Sequence, residues 1–173
     1  MPTAHVYGTN TAIADPVKTG YTFNGWKVNG GAAVKNLTLG ATDYTNVISL
    51  QATWSANKYT ATFDKQNGTG GSISAVVTFN SAMPAITVPT RTGYTFGGYY
   101  TAKNGGGTQY YTSSGASAKN WNIAANTTLY AKWTAKTYTV TFDKQNGTGG
   151  STSVAATFNG AMPAITVPTR TGY

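Results

Sequence analysis

The chain has 173 residues and a mass of 18.0 kDa, which is enough for one ordinary domain or two small ones. Apolar residues make up 40% of it, so a packed core is expected, while charged residues make up only 9%, against roughly a quarter in an average soluble domain. Twelve Lys and Arg against four acidic residues leave a net charge of +8. All four acids are Asp, and the lack of Glu disfavours a helical protein because Glu is common on exposed helix faces.

Residue types that most catalytic and metal sites require are absent or rare. The chain has no Cys, which excludes disulfides, thiolate nucleophiles and Cys-ligated zinc. A single histidine, His5, excludes multi-His metal sites within one chain. No run approaches the ~18–20 apolar residues of a membrane-spanning helix, and the first residues have no signal-peptide pattern. We therefore expect no enzymatic activity, no metal or cofactor and no membrane span.

Taken in chain order, the first clear strand pattern begins at Tyr59. Between Tyr59 and Phe63, aromatic and Ala residues alternate with Thr, which is the period-2 pattern of a half-buried strand. The Asn-Gly-Thr-Gly-Gly run at residues 67–71 predicts a hairpin turn because Asn and Gly tolerate positive φ. Residues 74–79 are then the return strand.

The following stretch predicts further strands joined by long loops. Pro84 and Pro89 bound an extended segment that is unable to continue a central sheet. Residues 93–101 are rich in aromatic residues and predict another strand, residues 113–121 one short helical turn, and residues 129–133 a last alternating strand. The predicted fold class is therefore mostly β (α+β), with antiparallel sheets, long loops and little helix.

An internal repeat organises the chain. Residues 58–94 reappear as residues 137–173, 79 positions further on, with seven differences over the 37 positions. A diverged copy precedes them, and a Gly-rich insertion at residues 104–107 accounts for the change of offset between the copies. Because a period of this length is too long for a solenoid turn, each copy is expected to be a small domain. We predict a partial repeat lacking its first strand at 1–57, a complete repeat at 58–136 and the first half of a repeat at 137–173.

The ordered motifs of the middle copy resemble those of a known family. The motif Tyr-Thr-x-Thr-Phe-Asp begins at Tyr59, Gly-Tyr-Thr-Phe-x-Gly begins at Gly93, and Leu-Tyr-Ala-Lys-Trp ends at Trp133. Together they are similar to the Listeria–Bacteroides repeat, or internalin B-type B repeat. The resemblance implies tandem β-grasp, ubiquitin-like modules of large secreted or cell-surface bacterial proteins, with no catalytic residues. Tyr99 stands where the family usually has Trp, as at Trp26.

The resemblance also implies a set of signature or core positions. They are Gly20, Tyr21, Phe23, Trp26, Trp54, Tyr59, Phe63, Gly93, Tyr94, Phe96, Tyr99 and Trp133. Three other aromatic residues are less well explained by packing: Tyr110, Tyr111 and Trp121. The first two lie in a Gly/Ser/Thr context typical of a loop, and we consider all three as a candidate ligand surface on which sugar rings would stack.

Three functional hypotheses follow. The first is a non-enzymatic structural module, a stalk or spacer whose partners are neighbouring repeats of the same chain. The second is an adhesin module that binds a host glycan or cell-wall polymer through exposed aromatic and basic residues. The third is a self-assembling head-to-tail filament, in which residues 137–173 of one chain complete residues 1–57 of the next by strand addition. No nucleic-acid partner is expected, since the basic residues are scattered singly and form no recognised motif. We expect an extracellular or cell-surface location.

Overall fold

A computed structural model describes residues 4–44 and 46–172. The described residues form a 3-10 turn at Lys103–Gly105 and twelve β-strands: β1 Thr11–Ala12, β2 Tyr21–Val28, β3 Ala33–Val34, β4 Thr38–Leu39, β5 Leu50–Ala56, β6 Lys58–Asp64, β7 Ser74–Thr78, β8 Tyr94–Tyr100, β9 Gln109–Tyr111, β10 Thr127–Ala135, β11 Thr137–Thr141 and β12 Ser153–Thr157. The protein is therefore mostly β, as predicted.

The helical turn predicted at residues 113–121 was wrong. This segment contains turns and an isolated bridge between Tyr111 and Ser117. Gly115 has a φ of 81°, which is outside the right-handed helical region. Its N–H donates to the carbonyl of Thr112 at 3.1 Å, so the chain reverses there. Within the part of the chain that the structure describes, no helix is long and apolar enough to cross a membrane.

The chain divides into two compact units. The first comprises Met1–Ala61, Val76–Met83 and Asn120–Thr127, and the second comprises Thr62–Ala75, Pro84–Lys119 and Thr128–Tyr173.

The first unit contains a three-stranded antiparallel sheet in the order β3-β2-β5, and a short ladder between β1 and β4. Its core consists of Ile13, Phe23, Trp26 and Leu39. The ring of Phe23 packs edge-on against Trp26 at 5.6 Å and against Trp54 at 5.2 Å between centroids. Because side chains alternate along a strand, β2 directs Phe23 to the core and exposes Thr22 and Asn24.

A five-stranded sheet has the order β7-β6-β10-β8-β9. Strand β8 is antiparallel to both β10 and β9. In the second unit, four aromatic rings form the centre of the core. Phe63 stacks on Tyr99 at 4.6 Å and meets Tyr111 edge-on at 5.5 Å, while Phe96 lies 5.2 Å from Tyr99. The insertion in this repeat forms the 3-10 turn between β8 and β9.

The last two strands form a hairpin. Strands β11 and β12 pair with each other in an antiparallel register from Thr137–Thr157 to Thr141–Ser153. The segment after β12 is connected to the turn of this hairpin by an isolated antiparallel bridge between Thr169 and Thr148. The bridge between Thr69 and Thr90 is its counterpart 79 positions earlier, so this near-identical stretch repeats its local geometry.

Candidate functional site

The signature residues lie in or beside the cores. Five side chains are buried: Phe23, Trp26, Phe63, Phe96 and Tyr99. Gly20 and Gly93 are also buried. Tyr21, Trp54, Tyr59, Tyr94 and Trp133 are partly buried.

The three aromatic residues considered as a ligand surface are core residues. Tyr110, Tyr111 and Trp121 are 2%, 0% and 0% exposed. Tyr110 and Tyr111 belong to strand β9, which pairs with β8 through Tyr111 and Tyr99, whereas their composition indicated a loop. Their ring faces are therefore inaccessible to a sugar in this structure.

Two buried tyrosine hydroxyls have unusual electrostatics. No described residue forms a hydrogen bond with the hydroxyl of Tyr99 or of Tyr111. Burial raises the pKa of both phenols to about 12, and the Asp64 carboxylate adds to the effect at Tyr99. Both groups therefore stay protonated at neutral pH, which makes neither a general base.

The Asp residues of the repeated turns have a structural role. The Asp64 carboxylate accepts a hydrogen bond from the backbone N–H of Gln66 at 3.0 Å, and Asp143 accepts the same bond from Gln145 at 3.0 Å. The bonds from Gln66 lower the pKa of Asp64. Within residues 4–44 and 46–172, no three His, Asp, Glu or Cys side chains cluster closely enough to hold a metal ion.

A single residue connects the first sequence repeat to the second. Asn57 is the only residue between β5 and β6. Its N–H donates to the carbonyl of Gly20 at 2.9 Å, and its carbonyl accepts the N–H of Phe79 at 2.9 Å. The ring of Phe79 meets Tyr21 edge-on, with centroids 5.5 Å apart and planes at 79°. We call this arrangement the repeat joint.

The same joint recurs between the second and third repeats. Lys136 is the only residue between β10 and β11, its N–H donates to Gly93 at 2.8 Å, and its carbonyl accepts from Phe158 at 2.8 Å. Phe158 meets Tyr94 with the same 5.5 Å separation and 79° angle. The first joint lies wholly within the first unit and the second joint wholly within the second.

Arg91 forms the centre of an exposed groove in the second unit. Its guanidinium carbon lies 3.9 Å from the centroid of the Tyr94 ring, and its Nη1 donates to the carbonyl of Gln66 at 3.3 Å. The indole Nε1 of Trp133 donates to the carbonyl of Lys65 at 2.8 Å, which fixes the position of that ring. Arg91, Tyr94 and Trp133 line two cavities, of 410 and 320 Å³. We call these three residues and the two cavities the cationic groove.

Related features occur in the other repeats. In the first repeat, Lys18 Nζ lies 4.1 Å from the centroid of the Tyr21 ring and 5.8 Å from that of Trp54. In the third repeat, Lys144 and Arg170 line a 370 Å³ cavity together with Gly147, Pro168 and Thr169. The sequence alone does not reveal the cationic groove, because residues that line it, such as Gln66 and Trp133, lie far apart in the chain.

Comparisons with known proteins give a consistent assignment. The sequence model of the Listeria-Bacteroides repeat domain matches residues 3–52, 59–132 and 138–173. Internalin H of Listeria monocytogenes serovar 1/2a is 37% identical over 139 residues, which cover 76% of this chain and 23% of that protein. No solved structure matches the chain.

Two proteins of Evansella cellulosilytica are also similar. One, named a Gly-rich membrane protein, is 27% identical over 186 residues, covering 98% of this chain and 20% of that protein. The other, named a membrane protein, is 30% identical over 132 residues, covering 73% of this chain and 18% of that protein. The chain thus spans about a fifth of the length of these relatives. Since the family model matches most of its length, the chain belongs to the Listeria–Bacteroides repeat family.

Proposed function

We propose that this chain is a non-enzymatic structural repeat, a stalk or spacer segment of a secreted or cell-surface bacterial protein. The observation that carries the proposal is the repeat joint, which recurs with the same hydrogen bonds and ring geometry at Asn57 and at Lys136. Similarity to internalin H supports the cell-surface setting.

The joint has the properties expected of a stiff connection. A flexible linker consists of several solvated residues without fixed partners. Here one residue separates the last strand of a repeat from the first strand of the next, and both of its backbone polar groups are bonded, one to each repeat. The aromatic pair adds about 0.5–1.5 kcal/mol beyond the area it buries. Neighbouring repeats are thus the partners that each repeat uses for stability, as in other repeat arrays.

We also propose that the complete repeat, at 58–136, is a β-grasp-like module, with a partial repeat that lacks its first strand at 1–57 and the first half of a repeat at 137–173. The strand order β7-β6-β10-β8-β9 supports this, because it places the first strand of the complete repeat, β6, beside its last strand, β10. The three segments matched by the family model, 3–52, 59–132 and 138–173, support the boundaries.

Spin-label distances test the stiffness of the joint. Since the chain has no Cys, Thr128→Cys and Thr152→Cys, both at exposed positions, give a unique label pair on either side of Lys136. We expect a narrow distance distribution, broadened by Phe158→Ala and unchanged by Ile165→Ala, a control at another apolar residue of the same repeat. A distribution as broad as that of a variant with four Gly/Ser residues inserted after Lys136 would argue against a spacer.

Self-assembly is a second candidate function. Met162 is 57% exposed and Val167 74%, whereas Met83, the counterpart of Met162 in the second repeat, is 5% exposed. The segment that follows β12 therefore presents apolar side chains that a further set of strands would cover. In the first unit, Ile13, Leu39 and Leu50 line a 270 Å³ cavity that offers apolar surface to an added strand.

Light scattering over a wide range of concentrations tests this candidate. A ladder of masses above 18.0 kDa that grows with concentration is expected of strand complementation. The exposed Met162→Lys substitution would suppress the ladder by placing a charge on the covered face. A constant mass of one chain at all concentrations would exclude self-assembly and leave the spacer.

A further inference from the structure

We propose that the cationic groove is a binding site for a linear anionic glycan, a chain of sugar units carrying sulfate or carboxylate groups, with Arg91 binding the anionic group while Trp133 and Tyr94 border the sugar. This goes beyond the spacer role and gives the adhesin hypothesis a defined site. The proposal combines three features of the second unit: a positioned cation, an aromatic border and two cavities whose lining includes residues with amide and hydroxyl side chains.

Arg91 is prepared to bind an anion. No carboxylate of the described residues forms a salt bridge with it, and its described polar contact is with the neutral carbonyl of Gln66. A guanidinium has five N–H donors in a rigid plane, so donors remain for a bidentate contact with a sulfate or carboxylate. Stacking on Tyr94 restricts its rotamers before the ligand arrives, which reduces the entropy lost on binding.

The cavities suit a polyhydroxylated chain. The residues that line one of them include Gln66, Asn67 and Asn104, all of which have amide side chains. The other is lined by hydroxyl and cationic side chains: Thr69, Thr90, Thr92, Thr95 and Lys136. Amides and hydroxyls both donate and accept hydrogen bonds, as sugar hydroxyls do. Because Arg91, Tyr94 and Trp133 border both cavities, successive sugar units are able to occupy the two sides of one anionic group.

Repetition of the site along the chain would raise the overall affinity for a long glycan. A cation occupies the counterpart position in each repeat, as Lys18, Arg91 and Arg170. A long glycan that engages several repeats would bind more tightly than any single site by effective concentration, without new contacts. The number of repeats would then set the avidity.

Binding of short oligosaccharides separates this site from general attraction to a basic protein. The site variant is Lys18→Gln/Arg91→Gln/Arg170→Gln. Its matched control is Lys35→Gln/Lys58→Gln/Lys119→Gln, which removes the same charge from three exposed lysines. By calorimetry with a heparin hexasaccharide, we expect the site variant to bind about tenfold more weakly, as for the loss of one charge-assisted hydrogen bond. The control is expected to change less than twofold.

Other ligands define the chemistry. A hexamer of galacturonic acid tests carboxylate in place of sulfate, neutral maltohexaose tests the need for charge, and linear polyphosphate tests the need for a sugar. Binding of at least one acidic hexasaccharide, with a shift of the Trp133 indole N–H resonance, supports the proposal. Equal weakening of both triple variants, equal binding of maltohexaose or polyphosphate, or no binding of either acidic sugar would overturn it. The spin-label distances are independent of all these results.

Discussion

The ring of Phe158 lies so close to Gly93 that a Cβ atom on this glycine would overlap the ring carbons. Phe79 and Gly20 are related in the same way. Both glycines have positive φ, 78° at Gly20 and 75° at Gly93. In each case the glycine belongs to one repeat and the phenylalanine to the next, so the Gly-Tyr pair of the family motif has a function at the boundary between repeats. Because the motif glycine has no side chain, the phenylalanine ring of the next repeat is able to pack against its backbone.

Replacing Gly93 with Ala should destabilise the second joint. The new Cβ meets the ring of Phe158 and the backbone has positive φ, so we expect the free energy of unfolding to fall by about 2–4 kcal/mol. Gly149→Ala is the matched control, because Gly149 has a φ of 65° with no atom within 4 Å of an added Cβ. This control substitution should reduce the free energy of unfolding by only about 1 kcal/mol. Denaturant unfolding measures both.

A double-mutant cycle tests whether the ring causes the additional cost. Phe158→Ala removes the obstructing atoms, so its combination with Gly93→Ala should be less damaging than the sum of the single variants. If the free-energy changes of the two single variants simply add in the double variant, the Phe158 ring does not contribute to the cost of Gly93→Ala.

Removing the buried hydroxyls should not harm the protein. The hydroxyls of Tyr99 and Tyr111 are buried without a hydrogen-bond partner in the described structure, and an unsatisfied buried group is unfavourable. We expect Tyr99→Phe and Tyr111→Phe each to raise the free energy of unfolding by about 1 kcal/mol. Tyr100→Phe, at a half-buried ring of the same strand, is the control and should be close to neutral. A loss above 1 kcal/mol in the buried variants would reveal a bound partner.

Stability should fall in alkaline solution. Burial raises the pKa of Tyr99 and Tyr111 to about 12, from an ordinary value of 10.0. Above pH 10 the unfolded chain releases these protons while the folded chain keeps them, so the unfolded state is favoured progressively up to pH 12. Below pH 10 both states are protonated and this contribution does not vary. Thermal melting at pH 9 to 12 should therefore show a decline that is shallower in Tyr99→Phe/Tyr111→Phe. An equal decline in the wild-type protein and in this double variant would show that other groups cause the loss of stability.

Trp133 should stabilise its repeat through its indole nitrogen. Nε1 donates to the carbonyl of Lys65 at 2.8 Å and so ties the last strand to the first turn. Trp133→Phe is expected to reduce the free energy of unfolding by about 1 kcal/mol more than Trp54→Phe. Trp54 is its counterpart in the first repeat, where the described contacts of the ring are with Phe23 and Lys18. Equal losses would mean that ring size alone matters.

The architecture was predictable to different degrees. Near-identity of residues 58–94 and 137–173 identified the repeat, and alternation at residues 59–63 and 129–133 located β6 and β10, because these are patterns along the chain. The helical turn at residues 113–121 was predicted wrongly, since Gly115 adopts positive φ within a turn. No local pattern defines the strand order, which depends on pairing between distant segments.

The candidate sites, like the architecture, were predictable from the sequence only in part. By itself, the sequence determined the mostly β character of the fold, the family and the scarcity of catalytic residue types, since composition, periodicity and motif order are properties of the linear chain. Tertiary structure decided that Tyr110, Tyr111 and Trp121 are buried, and that Arg91 lies between Tyr94 and Gln66. It also brought Phe79 onto Gly20, 59 positions earlier. Burial and contact depend on what lies across the sheet, and that partner is selected by packing among residues far apart in sequence.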